Sequence, residues 1–251
     1  MRQMIRIENL YKSFNGFEVL KGVSCQVEKG EILALMGRSG YGKSVLLKHV
    51  AGLMKPDRGH IFIDKEDICC LRGHSLEQLR SRLGFLFQNG ALFDSLTVFE
   101  NVAFPMREKT KSSEQEIRER VLTVLDQVGL KGAEDKYPAQ ISGGMVKRAA
   151  LARALVRSPE IMLFDEPTTG LDPIITNAIL NLIQSVHRHF GFTGIIVTHE
   201  IPAVFEIVQK VAMLHEGAIL TVESPEEVLA SKDPIVRQFI TGAVEGPIKY
   251  H

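Results

Sequence analysis

Apolar and polar residues alternate along Met4, Ile5, Arg6, Ile7, Glu8, Asn9 and Leu10, and again from Val19 to Val27. A period of two predicts strands with one buried face. Glu31-Ile32-Leu33-Ala34-Leu35-Met36 is apolar without alternation, which predicts a strand covered on both faces. The run stops at Gly37, and Val45, Leu46, Leu47, Val50 and Ala51 then recur at helical spacing. Gly59-His60-Ile61-Phe62-Ile63-Asp64 predicts another strand. Two later runs are of the buried type. Ile161-Met162-Leu163-Phe164 ends in Asp165-Glu166-Pro167, and Gly194-Ile195-Ile196-Val197 ends in Thr198-His199-Glu200. Strands alternating with helical patterns predict βαβ units, an α/β fold class and a mostly parallel sheet. From Phe99 to Val156 the pattern is helical, as in Val121, Leu122, Val124, Leu125 and Val128. This predicts a helical subdomain at about residues 95–156, inserted into an α/β core of about 1–94 and 157–241. Lys210 to Val222 predicts two short strands around Glu216-Gly217. Ser224-Pro225 and Asp233-Pro234 predict helix starts, a cap followed by proline in the first turn. Residues 242–251 have no period, which leaves two readings open: a frayed terminus, or a tail docked through Val244, Ile248 and Tyr250.

Composition narrows the class. Hydrophobic residues are 45% and charged residues 24%, the mix of a folded globular chain. Thirty Lys plus Arg balance thirty Asp plus Glu, so there is no basic footprint for a nucleic-acid partner. Cys25, Cys69 and Cys70 lack the spacing of a disulfide framework or a zinc site. Charge follows the first five residues, which predicts no secretory signal. No apolar run approaches the roughly 20 residues that span a bilayer, so any membrane role comes through a partner.

The chemistry-bearing segments sit at predicted strand ends. Gly37-Arg38-Ser39-Gly40-Tyr41-Gly42-Lys43-Ser44 fits the phosphate-loop pattern G-x-x-x-x-G-K-[ST] between a buried strand and a helix. Its glycines let backbone N–H groups turn inward around phosphate oxygens, and the following helix points its positive end at the same anion. Lys43 should reach the β- and γ-phosphates, and the Ser44 hydroxyl should hold Mg²⁺. Asp165 ends a buried strand, where a carboxylate holds Mg²⁺. Glu166 beside it is placed to orient and deprotonate an attacking water. Ser142-Gly143-Gly144-Met145 opens a helix with a good cap and an unobstructed first turn, a second anion-binding helix end.

Taken in order, these segments resemble the nucleotide-binding subunit of an ABC transporter, from about Ile5 to Leu229. The resemblance implies a P-loop NTPase (RecA-like) core, an N-terminal antiparallel β subdomain and the inserted helical subdomain, forming one ATPase domain. It implies that Phe14 stacks on adenine and that residues 37–44 bind the phosphates of ATP. It also implies that Gln88 senses γ-phosphate and Mg²⁺ and couples to the membrane subunit. On the same resemblance His199 would contact the γ-phosphate. The resemblance further implies that residues 141–145 are the signature loop, with Ser142, Gly143 and Gly144 meeting phosphate, and that Asp172 lies in the D-loop. Ser44, Gln88 and Asp165 are the implied Mg²⁺ residues. The implied assembly is a homodimer with two ATP molecules between phosphate loop and opposite signature loop. It sits on a multispan permease at the cytoplasmic face of a bacterial inner membrane.

One departure is informative. The signature usually ends in Gln, whereas Met145 stands here. This is similar to the ATPases of Mla-type phospholipid transporters, as are Phe85 to Phe93, Val98 to Pro105 and Val236 to Ile240 with Gly246-Pro247. That subgroup implies a small cytoplasmic regulatory subunit and an MCE-domain lipid-binding protein as further partners. Two alternatives stay open: the ATPase of an amino-acid-type solute importer, and a non-transport ABC ATPase.

Overall fold

The computed structural model describes residues 2–249; Met1, Tyr250 and His251 lie outside the described residues. The elements are β1 (Gln3–Phe14), β2 (Phe17–Glu28), β3 (Ile32–Met36), α1 (Lys43–Val50), β4 (Arg58–Ile63), β5 (Glu66–Asp67), α2 (Gly73–Arg80), β6 (Leu83–Leu86), α3 (Val98–Lys109), α4 (Glu114–Gln127), α5 (Gly143–Leu155), β7 (Ile161–Asp165), α6 (Pro173–Phe190), β8 (Thr193–Val197), β9 (Lys210–His215), β10 (Ala218–Glu223), α7 (Pro225–Ala230) and α8 (Pro234–Thr241). The chain forms two compact units, residues 2–80 with 193–249, and Ser81–Phe192.

The first unit contains an antiparallel sheet in the order β2-β1-β4-β5. Its alternation is the sequence pattern made physical: Ile5, Ile7, Leu10, Leu20, Val23 and Val27 are buried. A second set of strands has β3 in the middle, parallel to β8 on one side and to β9 on the other, with β10 antiparallel to β9. All five residues of β3 and all five of β8 are buried, which is why neither run alternates. The register Leu35↔Val197 brings the loops after β3 and β8 out at the same sheet edge.

The second unit pairs β6 with β7 in parallel, Leu86 facing Phe164, so the segments after both strands also share an edge. Helices α3, α4 and α5 occupy the stretch whose pattern is helical and bury Val102, Val121, Val124, Leu125, Ala149 and Leu151. Thr97 and Ser113 start α3 and α4 with capping boxes, reciprocal bonds to Glu100 and Glu116. Helix α2 and strand β6 leave no period in the sequence. Helix α2 buries only Leu79, and β6 is four residues long.

The tail after α8 has no regular structure, as its lack of period predicts, but it is not loose. Gln238, 5% exposed, donates from Nε2 to Ile248 O (3.0 Å) and Ala243 O (3.2 Å) and accepts from Ile248 N (2.7 Å). Ile248 is buried against the chain's own residues, whereas Val244 is 82% exposed, so one of these two apolar residues follows each reading. Tyr250, the third, is outside the described residues. Among the described residues no helix is long and apolar enough to cross a membrane.

Candidate functional site

In the first unit the site begins where β3 ends. Gly37 has φ +144°, and a Cβ there would lie 2.2 Å from the Leu214 carbonyl oxygen of β9. Only glycine lets the chain leave the sheet at this point. Residues 37–42 then curl back to Gly42, φ +98°, the residue before α1. Helices α3 to α8 each have a Thr, Ser or Asp side chain accepting from a first-turn N–H. Helix α1 has no side-chain cap. Its first-turn donors and its positive end therefore suit an anion, and the residues fit a nucleotide phosphate.

Lys43, 4% exposed, turns its ammonium into this loop and donates to Gly37 O (2.6 Å) and Arg38 O (3.1 Å). His199, two residues beyond β8, brings Nε2 to 3.2 Å from Lys43 Nζ and 3.5 Å from Ser39 Oγ. The parallel register explains this meeting of residues far apart in sequence. Ser44 follows Lys43 in the first turn of α1. Tyr41 packs edge-on against His215, and Arg38 donates to the Lys249 carbonyl of the tail at 2.8 Å. Phe14, at the end of β1, is 41% exposed under the Lys12 ammonium. Its hairpin partner Phe17 is 70% exposed and lines a hollow of about 320 Å³ with Val19, Lys21, Gly40 and Tyr41. Phe17 belongs to no motif of the sequence; an aromatic at each end of a tight hairpin is the sign that marks it.

In the second unit the corresponding feature is the end of β7. Asp165 closes that strand at 6% exposure. Glu166 follows with φ +48°, a left-handed conformation that a non-glycine residue holds only when its surroundings impose it. A main-chain turn bond from Thr169 N to Glu166 O (3.3 Å) closes this loop, and side chains hold the carboxylate. Glu166 Oε2 accepts from Gln88 Nε2 (3.1 Å) and from Thr169 Oγ1 (2.8 Å). Gln88 lies just beyond β6, whose pairing with β7 delivers it there. Thr169 and Lys147 join the site although no sequence motif includes them. Lys147 is buried on α5 and donates to the Gln88 main-chain carbonyl. Burial lowers its pKa, and the Glu166 charge opposes that shift. A cation on an otherwise apolar helix face, beside Ala150 and Leu151, is its legible sign.

Ser142 caps α5, its Oγ accepting from Met145 N at 3.3 Å. Gly143 and Gly144 follow, and a Cβ on Gly144 would press to 2.8 Å from Ile175. Asp172 caps α6 through Ile174 N and Ile175 N, so its carboxylate already has a structural task. The predicted residues thus fall into two groups. Phe14, residues 37–44 and His199 lie in the first unit; Gln88, residues 142–144, Asp165, Glu166 and Asp172 lie in the second.

Known proteins resemble this chain over most of its length. Residues 20–169 match the family described as ABC transporter. The intermembrane phospholipid transport system ATP-binding protein MlaF of Haemophilus influenzae is 40% identical over 249 residues, 99% of this chain and 94% of its own length. The probable ribonucleotide transport ATP-binding protein mkl of Mycobacterium tuberculosis is 44% identical over 244 residues, 97% of this chain and 68% of its own. A dimeric ATP-binding cassette solved in a post-hydrolysis state with ADP and Pi superposes with a TM-score of 0.81 at 32% identity, covering 88% of this chain and 99% of that one.

Proposed function

The chain belongs to the ABC transporter family, and we propose that it is the ATP-hydrolysing subunit of a system that moves phospholipid between membranes. The observation that carries the lipid reading is the 40% identity, over nearly its full length, to a phospholipid-transport ATP-binding protein. In this reading the backbone N–H groups of residues 37–44 and the start of α1 hold the phosphates of ATP, and Lys43 turns to the β- and γ-oxygens. Ser44, Gln88 and Asp165 each offer the hard oxygen donor that Mg²⁺ takes. A bound Mg²⁺ supplies charge neutralisation on the transferring phosphoryl group. Glu166 orients a water and takes its proton, while Gln88 and Thr169 keep the carboxylate aimed. His199 donates to the γ-phosphate, and Phe14 stacks on the base. Ser142, Gly143, Gly144 and the Asp172 region serve nucleotide held by a second copy of the chain.

The partner reading is a multispan permease at the cytoplasmic face of the inner membrane, with a small regulatory subunit and an MCE-domain lipid-binding protein. The permease is supported by a groove of about 360 Å³ in the second unit, lined by Phe85, Phe87, Phe93, Phe104 and Pro105 and flanked by Arg153 and Arg157. Phe93 and Phe104 are exposed there, and the groove borders the segment carrying Gln88, so a docked permease helix bears on the site. A second reading, transport of a soluble solute, is favoured by the ribonucleotide in the name of the mycobacterial relative. The deciding experiment is reconstitution of the chain with its co-purified membrane partner in vesicles. ATP-dependent transfer of a fluorescent phospholipid, lost in Glu166→Gln, is expected. Turnover stimulated by a soluble solute, with no lipid movement, overturns the lipid reading.

A further inference from the structure

Lys147 is an ammonium inside the second unit, 6% exposed, on the helix that opens with Ser142. A charge so placed is destabilising unless its donors are answered. Its bond goes to a main-chain carbonyl, that of Gln88. Farther along the same helix, Arg153 donates to Gly90 O and to Ala91 O, each at 2.7 Å. Between them Gly90 lies close on the helix: a Cβ there would meet Val146 Cγ1 at 3.3 Å and Ala150 Cβ at 3.4 Å. Helix α5 therefore grips three carbonyls of the segment after β6. The residue whose backbone Lys147 holds is the one whose side-chain amide reaches Glu166 Oε2. A methionine would fill nearly the same volume, yet it would leave the Gln88 carbonyl without its donor and remove a cation from the surroundings of Glu166.

We infer that Lys147 is a positioning residue for hydrolysis: through the Gln88 backbone it holds the Gln88 amide on Glu166, so that the start of α5 and the acid are set together. The inference rests on the reading of Gln88 and Glu166 given above.

The test is steady-state ATPase activity of the full-length chain across a range of ATP concentrations. Lys147→Met should lower kcat about 10- to 100-fold, the worth of one charge-assisted hydrogen bond, with KM for ATP changed by less than about threefold. Lys147→Arg should restore kcat to within about threefold, because a guanidinium also donates to a carbonyl. In a Gln88→Ala background, Lys147→Met should cost nothing further, since the amide it positions is gone. If Lys147→Met fails to fold by circular dichroism, Lys147→Leu, which likewise has no donor, carries the same comparison. Wild-type kcat in the neutral variant, a loss confined to KM, or additive losses in the double variant overturn the inference. Glu166→Gln is run in parallel. Its failure to lose turnover overturns the site reading and the inference with it; its loss beside wild-type kcat in Lys147→Met overturns the inference alone.

Discussion

The two groups of candidate residues are built on the same plan and held by opposite means. Each starts from a five-residue strand buried along its length, β3 in one unit and β7 in the other, and each places its chemistry at the strand's end or just beyond it. After β3 the geometry belongs to the backbone. Gly37 and Gly42 take left-handed φ values, Lys43 bonds to loop carbonyls five and six residues away, and α1 starts without a side-chain cap. After β7 the acid itself is held by side chains. Glu166 holds a left-handed φ without being glycine, and donors from Gln88 and Thr169 fix its carboxylate. A backbone cradle suits a ligand that must be held in place through the reaction. A carboxylate held by two hydrogen bonds suits a group that must orient water and exchange a proton.

This contrast is breakable at four points. Glu166→Gln has the largest expected effect, a fall of about 10²–10⁴ in hydrolysis rate with ATP binding kept. A filter-binding assay beside a turnover assay checks both halves, and near-normal turnover removes Glu166 as the base. Gly37→Ala should instead destroy the scaffold, since its Cβ collides with the Leu214 carbonyl and its φ is strained for any side chain. A loss of about 3–5 kcal/mol in urea unfolding is expected; a loss under about 1 kcal/mol would mean the loop relaxes and is not backbone-determined. Thr169→Val removes one of the two donors to Glu166 and should lower kcat about 3- to 30-fold while leaving nucleotide affinity unchanged. Equal losses in both would mark Thr169 as a packing residue.

The smallest effect belongs to the tail. Gln238→Ala removes an amide that makes three bonds to residues 243 and 248. Residues 243–249 should then exchange their amide hydrogens about 10- to 100-fold faster, with ATPase activity within about twofold of wild type. Unchanged exchange would show that Ile248 burial alone holds the tail. Arg38 links that tail to the phosphate loop, so a larger change in activity would report coupling along this contact.

The phosphate loop is legible in the sequence because everything that shapes it is local: a buried strand, glycines where φ must be positive, a lysine and a hydroxyl at fixed offsets. Chain order of the remaining motifs carries the family. The same locality explains the helix starts at Ser224-Pro225 and Asp233-Pro234, where the capping side chain accepts from a donor two or three residues away. Helix α2 and strand β6 are not legible because they bury too little to leave a period.

What only the tertiary structure decided is which distant residues complete each local motif. Parallel pairing of β3 with β8 brings His199 to Lys43 across 156 positions of chain, and pairing of β6 with β7 brings Gln88 to Glu166 across 78. Lys147 reads in the sequence as a cation on an apolar helix face with no partner named, and Ile248 as one more residue of an irregular tail. Their roles come from burial. A side chain's spacing is written in the chain, but the partner that satisfies a buried amide or ammonium is chosen by the fold that removes both from water.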